Sequence, residues 1–273
     1  MPEEGKGRFV RPRELSPPEV PAYPADWVTA PPDFVGVGTQ RSGTSWWFRQ
    51  IILHPRVAWE DGIHFKEVHY FDSLAGVDAL TDEHKELYTH YFPRPHPDDV
   101  AGEWTPRYSY DPWVIPQVAQ AVPDARILVL LRDPVERYVS GVEFDRQFLN
   151  YRPGKMGLTL EIIIEQQRER SYYTDQVAKV LDAFPRDQVL ILQYERCLGS
   201  YQEQLERTYD FLGLDSAFRP PAQDNVPAAP PAGDLPDAER ADLAREYAAD
   251  ARRLLELVPE IDVALWPSVR DLV

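Results

Sequence analysis

Cysteine is nearly missing from this chain of 273 residues: Cys197 stands alone, which excludes an intramolecular disulfide and fits a reducing compartment. No reactive-cysteine signature surrounds it, so a nucleophilic role is not expected. Positive charge is also scarce. The chain has 29 Lys and Arg against 45 Asp and Glu, a net charge of -16, and that balance repels a polyanion and argues against nucleic acid as a partner. Nowhere does a continuous apolar stretch mark a signal peptide or a membrane span. The expectation is a cytoplasmic protein with no membrane partner. There is no internal repeat, and nothing in the sequence fixes an oligomeric state.

What the chain does have is length for one sizeable core and an alternating pattern of elements. Eight prolines fall within Met1 to Pro32, so residues 1–32 read as a proline-rich extended arm, and 33–273 as a single domain. Strands are expected at Phe34 to Val37, Ala101 to Thr105, Arg126 to Leu131 and Gln188 to Gln193, the last two as buried apolar runs. Helices are expected at about Thr44 to Leu53, Glu83 to His90, Val114 to Ala121, Pro134 to Phe148, Leu158 to Phe184, Tyr201 to Leu212 and Asp237 to Leu257. This alternation predicts an α/β fold, a P-loop-like three-layer sandwich with a central parallel sheet flanked by helices. Residues 219–236 are rich in Pro and Ala and read either as a loop or lid, or as a plain connector to the last helix.

The first chemical constellation follows the opening strand. In Gly36-Val37-Gly38-Thr39-Gln40-Arg41-Ser42-Gly43-Thr44-Ser45, glycines permit a tight turn, and successive backbone N–H groups and the next helix N-terminus can face a phosphate. Arg41, Ser42, Thr44 and Ser45 add side-chain donors. The loop resembles a Walker A motif, but Thr44 stands at the lysine position and the cation sits earlier, at Arg41. An ATP-hydrolysing site needs that lysine at the outer phosphates, whereas this cradle suits a phosphosulfate end.

A second constellation ends the strand Arg126 to Leu131, where Arg132-Asp133-Pro134 opens a helix carrying Arg137 and Ser140. Strand carboxyl ends in a parallel sheet line the ligand crevice, so Arg132 should emerge beside the first cradle, with Ser140 about two turns along the helix. The plainer reading makes Arg132 and Asp133 a capping or salt-bridge pair. Two anion sites at two strand ends, however, suit one ligand with separate phosphate groups.

Together, Gly-Thr-Gln-Arg-Ser-Gly-Thr-Ser at 38–45 and Leu-Leu-Arg-Asp-Pro-Val-Glu-Arg-Tyr-Val-Ser at 130–140 resemble the sulfotransferases that use 3′-phosphoadenosine 5′-phosphosulfate (PAPS) and release 3′-phosphoadenosine 5′-phosphate (PAP). The resemblance implies PAPS as donor and no required metal. It assigns the 5′-phosphosulfate to the loop of Thr39, Gln40, Arg41, Ser42, Gly43, Thr44 and Ser45, and the 3′-phosphate to Arg132 and Ser140. Lys66-Glu67-Val68-His69-Tyr70-Phe71-Asp72 and Gly102-Glu103-Trp104-Thr105-Pro106-Arg107-Tyr108 are similar to segments of the heparan-sulfate or glycan-type branch, where the glutamate of Lys-Glu-x-x-x-Phe is the base. Two departures stand out: Arg41 replaces the usual lysine, and Trp104 replaces the lysine of Glu-Lys-Thr-Pro. The combination is that of a bacterial-style relative with a different acceptor.

The resulting expectation is in-line sulfuryl transfer to a hydroxyl or amine of a small-molecule or carbohydrate acceptor. Glu67 serves as general base, and Arg41 with the loop N–H groups stabilises charge on the departing phosphate. Lys66 is a candidate to neutralise the transferring group, although neighbours on a strand point to opposite faces. His69 is the rival base, with His64 more distant. Trp104 and Tyr108, at a strand end, are candidates for the acceptor site. The alternatives are a nucleotide kinase or other P-loop NTPase, and a nucleotide-binding protein without catalysis.

Overall fold

The computed structural model describes residues 19–151, 159–221 and 235–273, the side chains of 148–151 excepted. Residues 1–18 of the expected arm and 222–234 of the expected Pro/Ala-rich loop lie outside the described residues. The described part of the arm is extended, as its prolines require, but docked. Its strand β1 (Val28–Thr29) pairs antiparallel with β3 (Pro93–Arg94). The buried Arg94 guanidinium binds the Asp33 carboxylate at 2.9 Å and donates to the Pro31 carbonyl.

The main sheet contains β2 (Phe34–Gly38), β4 (Gly102–Trp104), β5 (Arg126–Leu131) and β6 (Val189–Gln193), all parallel and ordered β4-β2-β5-β6. Its sequence pattern explains its burial. Val35, Val37, Ile127, Val129, Leu131, Val189 and Ile191 face one hydrophobic cluster, while their alternates Phe34, Trp104, Leu128, Leu130, Leu190 and Leu192 face the other. Period-two alternation with both faces apolar is what a parallel sheet covered on two sides demands. Burying each such aliphatic or phenyl side chain contributes on the order of 1.5–3 kcal/mol.

Helices α1 (Thr44–Ile52) and α8 (Tyr201–Phe211) close the second face, through Trp47, Phe48, Ile51, Leu205 and Tyr209. On the first face lie α3 (Val114–Ala121), α4 (Pro134–Tyr151), α6 (Thr174–Ala183) and α9 (Asp237–Leu257), which send in Val118, Val135, Val177 and Leu254. Three layers result, as expected. The chain leaves β2 for β4 on one side and later returns to β5 on the other. That reversal opens a crevice at the carboxyl end of β2, where open α/β sheets bind ligands.

One expected helix is divided. In place of a single helix from Leu158 to Phe184, α5 (Leu160–Glu169) and α6 are separated by a turn. The break is stabilised by two buried charges. Arg137 of α4 donates to Ser171 Oγ at 2.8 Å, and Asp250 of α9 accepts from the N–H groups of Tyr173 and Thr174. These contacts give partners to N–H groups that the break frees from the helix and to two charged side chains that are buried there. Smaller elements escaped the sequence pattern: β1, β3, a 3₁₀ turn at Phe71–Leu74, and the short helix α7 (Tyr194–Gly199). Helix α2 (Asp82–Thr89) begins at Thr81, whose hydroxyl caps the His84 N–H.

Candidate active site

The loop after β2 runs directly into α1, and its glycines have separate tasks. Gly43 is the N-cap of α1, with φ 88° and no side-chain capping bond. The first N–H groups of a helix lack intrahelical partners, and here no side chain at the N-cap takes them. A β-carbon on Gly43 would lie 2.5 Å from the Tyr194 ring. Gly36 lies inside the strand, and a β-carbon there would overlap the Trp104 ring at 2.1 Å.

Among the loop hydroxyls, Thr39 and Ser42 are fully buried and bonded to each other at 2.6 Å, and Thr39 also donates to the Leu130 carbonyl. Their side chains brace the turn from within. Gln40, Arg41, Thr44 and Ser45 line a cavity of about 140 Å³.

The second turn comes from β5. Asp133 caps α4, its carboxylate accepting from Val135 and Glu136 N–H, and it also tethers Ser268. The capping reading therefore holds for Asp133, but not for Arg132. Arg132 instead donates to the Arg41 carbonyl at 3.2 Å and lies 5.0 Å over the Tyr194 ring, while Arg41 Nε donates to Ser140 Oγ at 3.2 Å. The two turns thus touch, close enough for one molecule to contact both. Burial lowers the Arg41 pKa, and neighbouring Arg132 lowers it further. A pair of crowded guanidiniums beside an open helix N-terminus fits a ligand bearing several negative charges.

Glu67 enters the same cavity from the Lys66–Tyr70 segment. This segment is irregular, so the expectation of opposite-facing neighbours fails: Lys66 Nζ donates to Glu67 Oε1 at 2.6 Å. The other carboxylate oxygen, Oε2, lies 3.2 Å from His69 Nε2, and His69 Nδ1 is 2.7 Å from Asp72 Oδ2. The rival bases therefore form one row. Burial alone would raise the Glu67 pKa, but His69 and Lys66 outweigh it and hold the carboxyl at about 2. Burial likewise disfavours a charged His69, yet Asp72 and Glu67 raise it to about 9. Glu67 is thus held as a carboxylate between Lys66 and His69, while burial lowers the Lys66 pKa against the pull of Glu67. His64 is placed elsewhere, buried with Nε2 2.7 Å from the Pro93 carbonyl.

Trp104 and Tyr108 do not reach the cavity, which corrects their reading as acceptor contacts. Both are fully buried. Trp104 donates from Nε1 to the Gly38 carbonyl at 3.0 Å, and Tyr108 donates from its hydroxyl to Glu103. The β4 segment has a different duty: it holds the strip that bears Glu67. Glu103, buried and surrounded by donors, accepts from the Val68 N–H at 3.0 Å and the Tyr88 hydroxyl at 2.7 Å. Trp104 N–H bonds to the Lys66 carbonyl, and Thr105 Oγ1 and Tyr108 Oη accept from His69 and Tyr70 N–H. Of the cavity's remaining walls, Pro106 belongs to the Gly102–Tyr108 motif, whereas Phe144, Asp145, Gln167 and Arg170 come from segments whose sequence carries no motif. Their role depends on the break between α5 and α6.

The fold and site define an α/β protein of P-loop-like construction, with two adjoining turns rich in donors and a carboxylate in the same cavity. The chain matches the sulfotransferase domain family over residues 31–226, and it belongs to that family. Over 120 residues it is 33% identical to the membrane-associated sulfotransferase kil1 of Dictyostelium discoideum, a stretch covering 43% of this chain and 24% of that protein. The chain thus spans about a quarter of that relative's length. Among the described residues, no helix is long and apolar enough to cross a membrane. The crystal structure of a sulfotransferase from Alicyclobacillus acidocaldarius has the same fold, with a TM-score of 0.65 at 24% identity, covering 86% of this chain and 99% of that one.

Proposed function

We propose that this sulfotransferase uses PAPS as donor and transfers its sulfuryl group to a hydroxyl, or an amine, of a small-molecule or carbohydrate acceptor. The observation carrying this reading is the contact between the two turns: Arg132 reaches the Arg41 carbonyl and Arg41 reaches Ser140. A nucleotide with phosphates at both its 3′ and 5′ positions matches two adjoining anion sites, one per turn. Arg41, Thr44, Ser45 and the α1 N-terminus take the phosphosulfate end, and Arg132 with Ser140 takes the 3′-phosphate.

Glu67 faces Arg41 across the cavity and takes the acceptor's proton. The new bond joins the acceptor oxygen or nitrogen to sulfur, while the bond from sulfur to the phosphate oxygen breaks with its electron pair leaving on PAP. Arg41 and the loop N–H groups meet that charge where it develops. Lys66 lies on the Glu67 carboxylate at rest, and in this reading it turns toward the transferring sulfuryl group as Glu67 takes the proton. His69 and Asp72 hold the far side of Glu67, which makes His69 its positioning partner. We place this chemistry in the cytoplasm.

Incubation with labelled PAPS and a panel of acceptors tests the reading by a mass gain of about 80 Da, that of SO₃. PAP at about one hundred times its dissociation constant should stabilise the fold by roughly 2.7 kcal/mol. Greater stabilisation by ATP with magnesium would assign the cradle to another nucleotide.

A further inference from the structure

Arg170 follows the last residue of α5 and reaches the cavity that holds Glu67 and Arg41. Its backbone is fixed, since the N–H donates to the Gln166 carbonyl and the carbonyl accepts from Gln176 Nε2. The side chain is differently placed. Its guanidinium lies 5.1 Å over the Tyr110 ring, and its Nε is buried with no hydrogen-bond partner. Among the described residues it forms no ion pair within 4.0 Å. The nearby carboxylates are engaged: Asp145 accepts from Gln167 Nε2 at 2.6 Å, and Asp111 is held by Arg107 at 2.7 Å.

A guanidinium stays charged at any working pH, and a desolvated one whose Nε is left without a hydrogen-bond partner gains from a ligand anion that takes its free donors. The donor's phosphates already have Arg41 and Arg132. Burial and Arg107 act against the Arg170 charge, while Asp145, Tyr110 and Asp111 favour it. Arg170 lines the same cavity as Glu67, the residue read as the base that meets the acceptor, so an acceptor held there lies within its reach. Its planar fork of N–H donors matches a carboxylate.

We propose that Arg170 receives a carboxylate of the acceptor, so that the acceptor is a hydroxy acid or an acidic sugar. Calling this ligand an acceptor rests on the sulfuryl-transfer reading, but its binding is measurable without transfer. The test is calorimetric titration of the PAP-loaded protein with 4-hydroxybenzoate, 3-hydroxybutyrate and glucuronate, each against its methyl ester. A hydrogen-bonded charge pair predicts that at least one acid binds about 10- to 100-fold more tightly than its ester. Arg170→Gln should erase that preference and Arg170→Lys keep part of it, with PAP affinity unchanged in both.

The proposal is overturned if no acid outbinds its ester, or if the preference survives in Arg170→Gln. It is equally overturned if Arg170→Gln weakens PAPS binding but not PAP binding, which would assign the guanidinium to the donor's sulfuryl group. Should Arg170→Gln not fold, the wild-type comparison and Arg170→Lys decide. If PAP itself does not bind, the donor reading fails separately, and the same titrations on the unloaded protein judge Arg170.

Discussion

Replacing Glu67 with glutamine keeps its shape and removes its capacity to take a proton. Both carboxylate oxygens face cationic donors, Lys66 Nζ at 2.6 Å and His69 Nε2 at 3.2 Å. An amide can satisfy only one of these, because its NH₂ group would meet the other donor head-on. Loss of the base should lower kcat by about 10²- to 10⁴-fold, equivalent to about 2.7–5.5 kcal/mol of activation free energy. PAP affinity should stay equal or tighten slightly, since the change removes a negative charge near Arg41. The assay is steady-state sulfuryl transfer alongside PAP titration, with His69→Asn as the comparison.

The pH profile gives an independent sign. The Glu67 carboxyl is held at about 2, so a Glu67 base is already ionised, and kcat/KM should be flat from about pH 5 to 8. His69 is raised to about 9, so as base it must first lose a proton, and kcat/KM would climb about tenfold per pH unit towards that value. Turnover by Glu67→Gln within about threefold of wild type, with PAP still bound, would refute the reasoning, as would the climbing profile.

Three further outcomes follow from the geometry. Trp104→Phe should lower stability by about 1 kcal/mol through its lost bond to the Gly38 carbonyl, with acceptor KM unchanged; a changed acceptor preference would restore Trp104 to the acceptor site. Gly43→Ala should cost about 1–2 kcal/mol in a residue at φ 88°, displace the Tyr194 ring, and weaken PAP binding, as melting and titration would show. Glu195, buried and accepting from Asp133 N–H and Trp266 Nε1, has its carboxyl pushed up by burial from about 4.5 to about 7. The folded state therefore holds this proton more tightly than the unfolded state, so the stability it brings is complete below about 4.5 and lost as pH rises through about 7. The stability of wild type relative to Glu195→Gln should fall by about 3 kcal/mol over that span, read from denaturant melts; an invariant difference would contradict the assignment.

Legibility in the sequence followed the range of the interactions. β5, α3 and α9 begin and end where their apolar pattern, Pro134 and flanking residues put them, because those boundaries are set within a few residues of chain. The turns after β2 and β5 were legible for the same reason, being short runs of glycine, hydroxyl and arginine in fixed order. The division of α5 from α6 was not. It depends on Arg137 and Asp250, distant in sequence, reaching the same turn, and no local propensity announces it. The cavity wall supplied by Arg170 was hidden with it.

Trp104 shows why even a well-read motif misassigns individual side chains. Its place after a strand end suggested exposure, since strand ends in such sheets meet ligands. Register decides otherwise: Trp104 pairs with Gly36 of β2, and the missing side chain there is the space its ring fills. Gly36 and Trp104 are one packing unit formed from two motifs that a linear reading treats separately. Beside it, Glu103 points to the opposite face and gathers Val68, Tyr88 and Tyr108. Alternation along three strand residues thus divides one motif between bracing the loop after β2 and fixing the strip that carries Glu67. Gly36→Ala should therefore disturb the loop after β2 and the Glu67 segment together, lowering both PAP affinity and kcat, because Trp104 is joined to the first by its ring and to the second by its backbone.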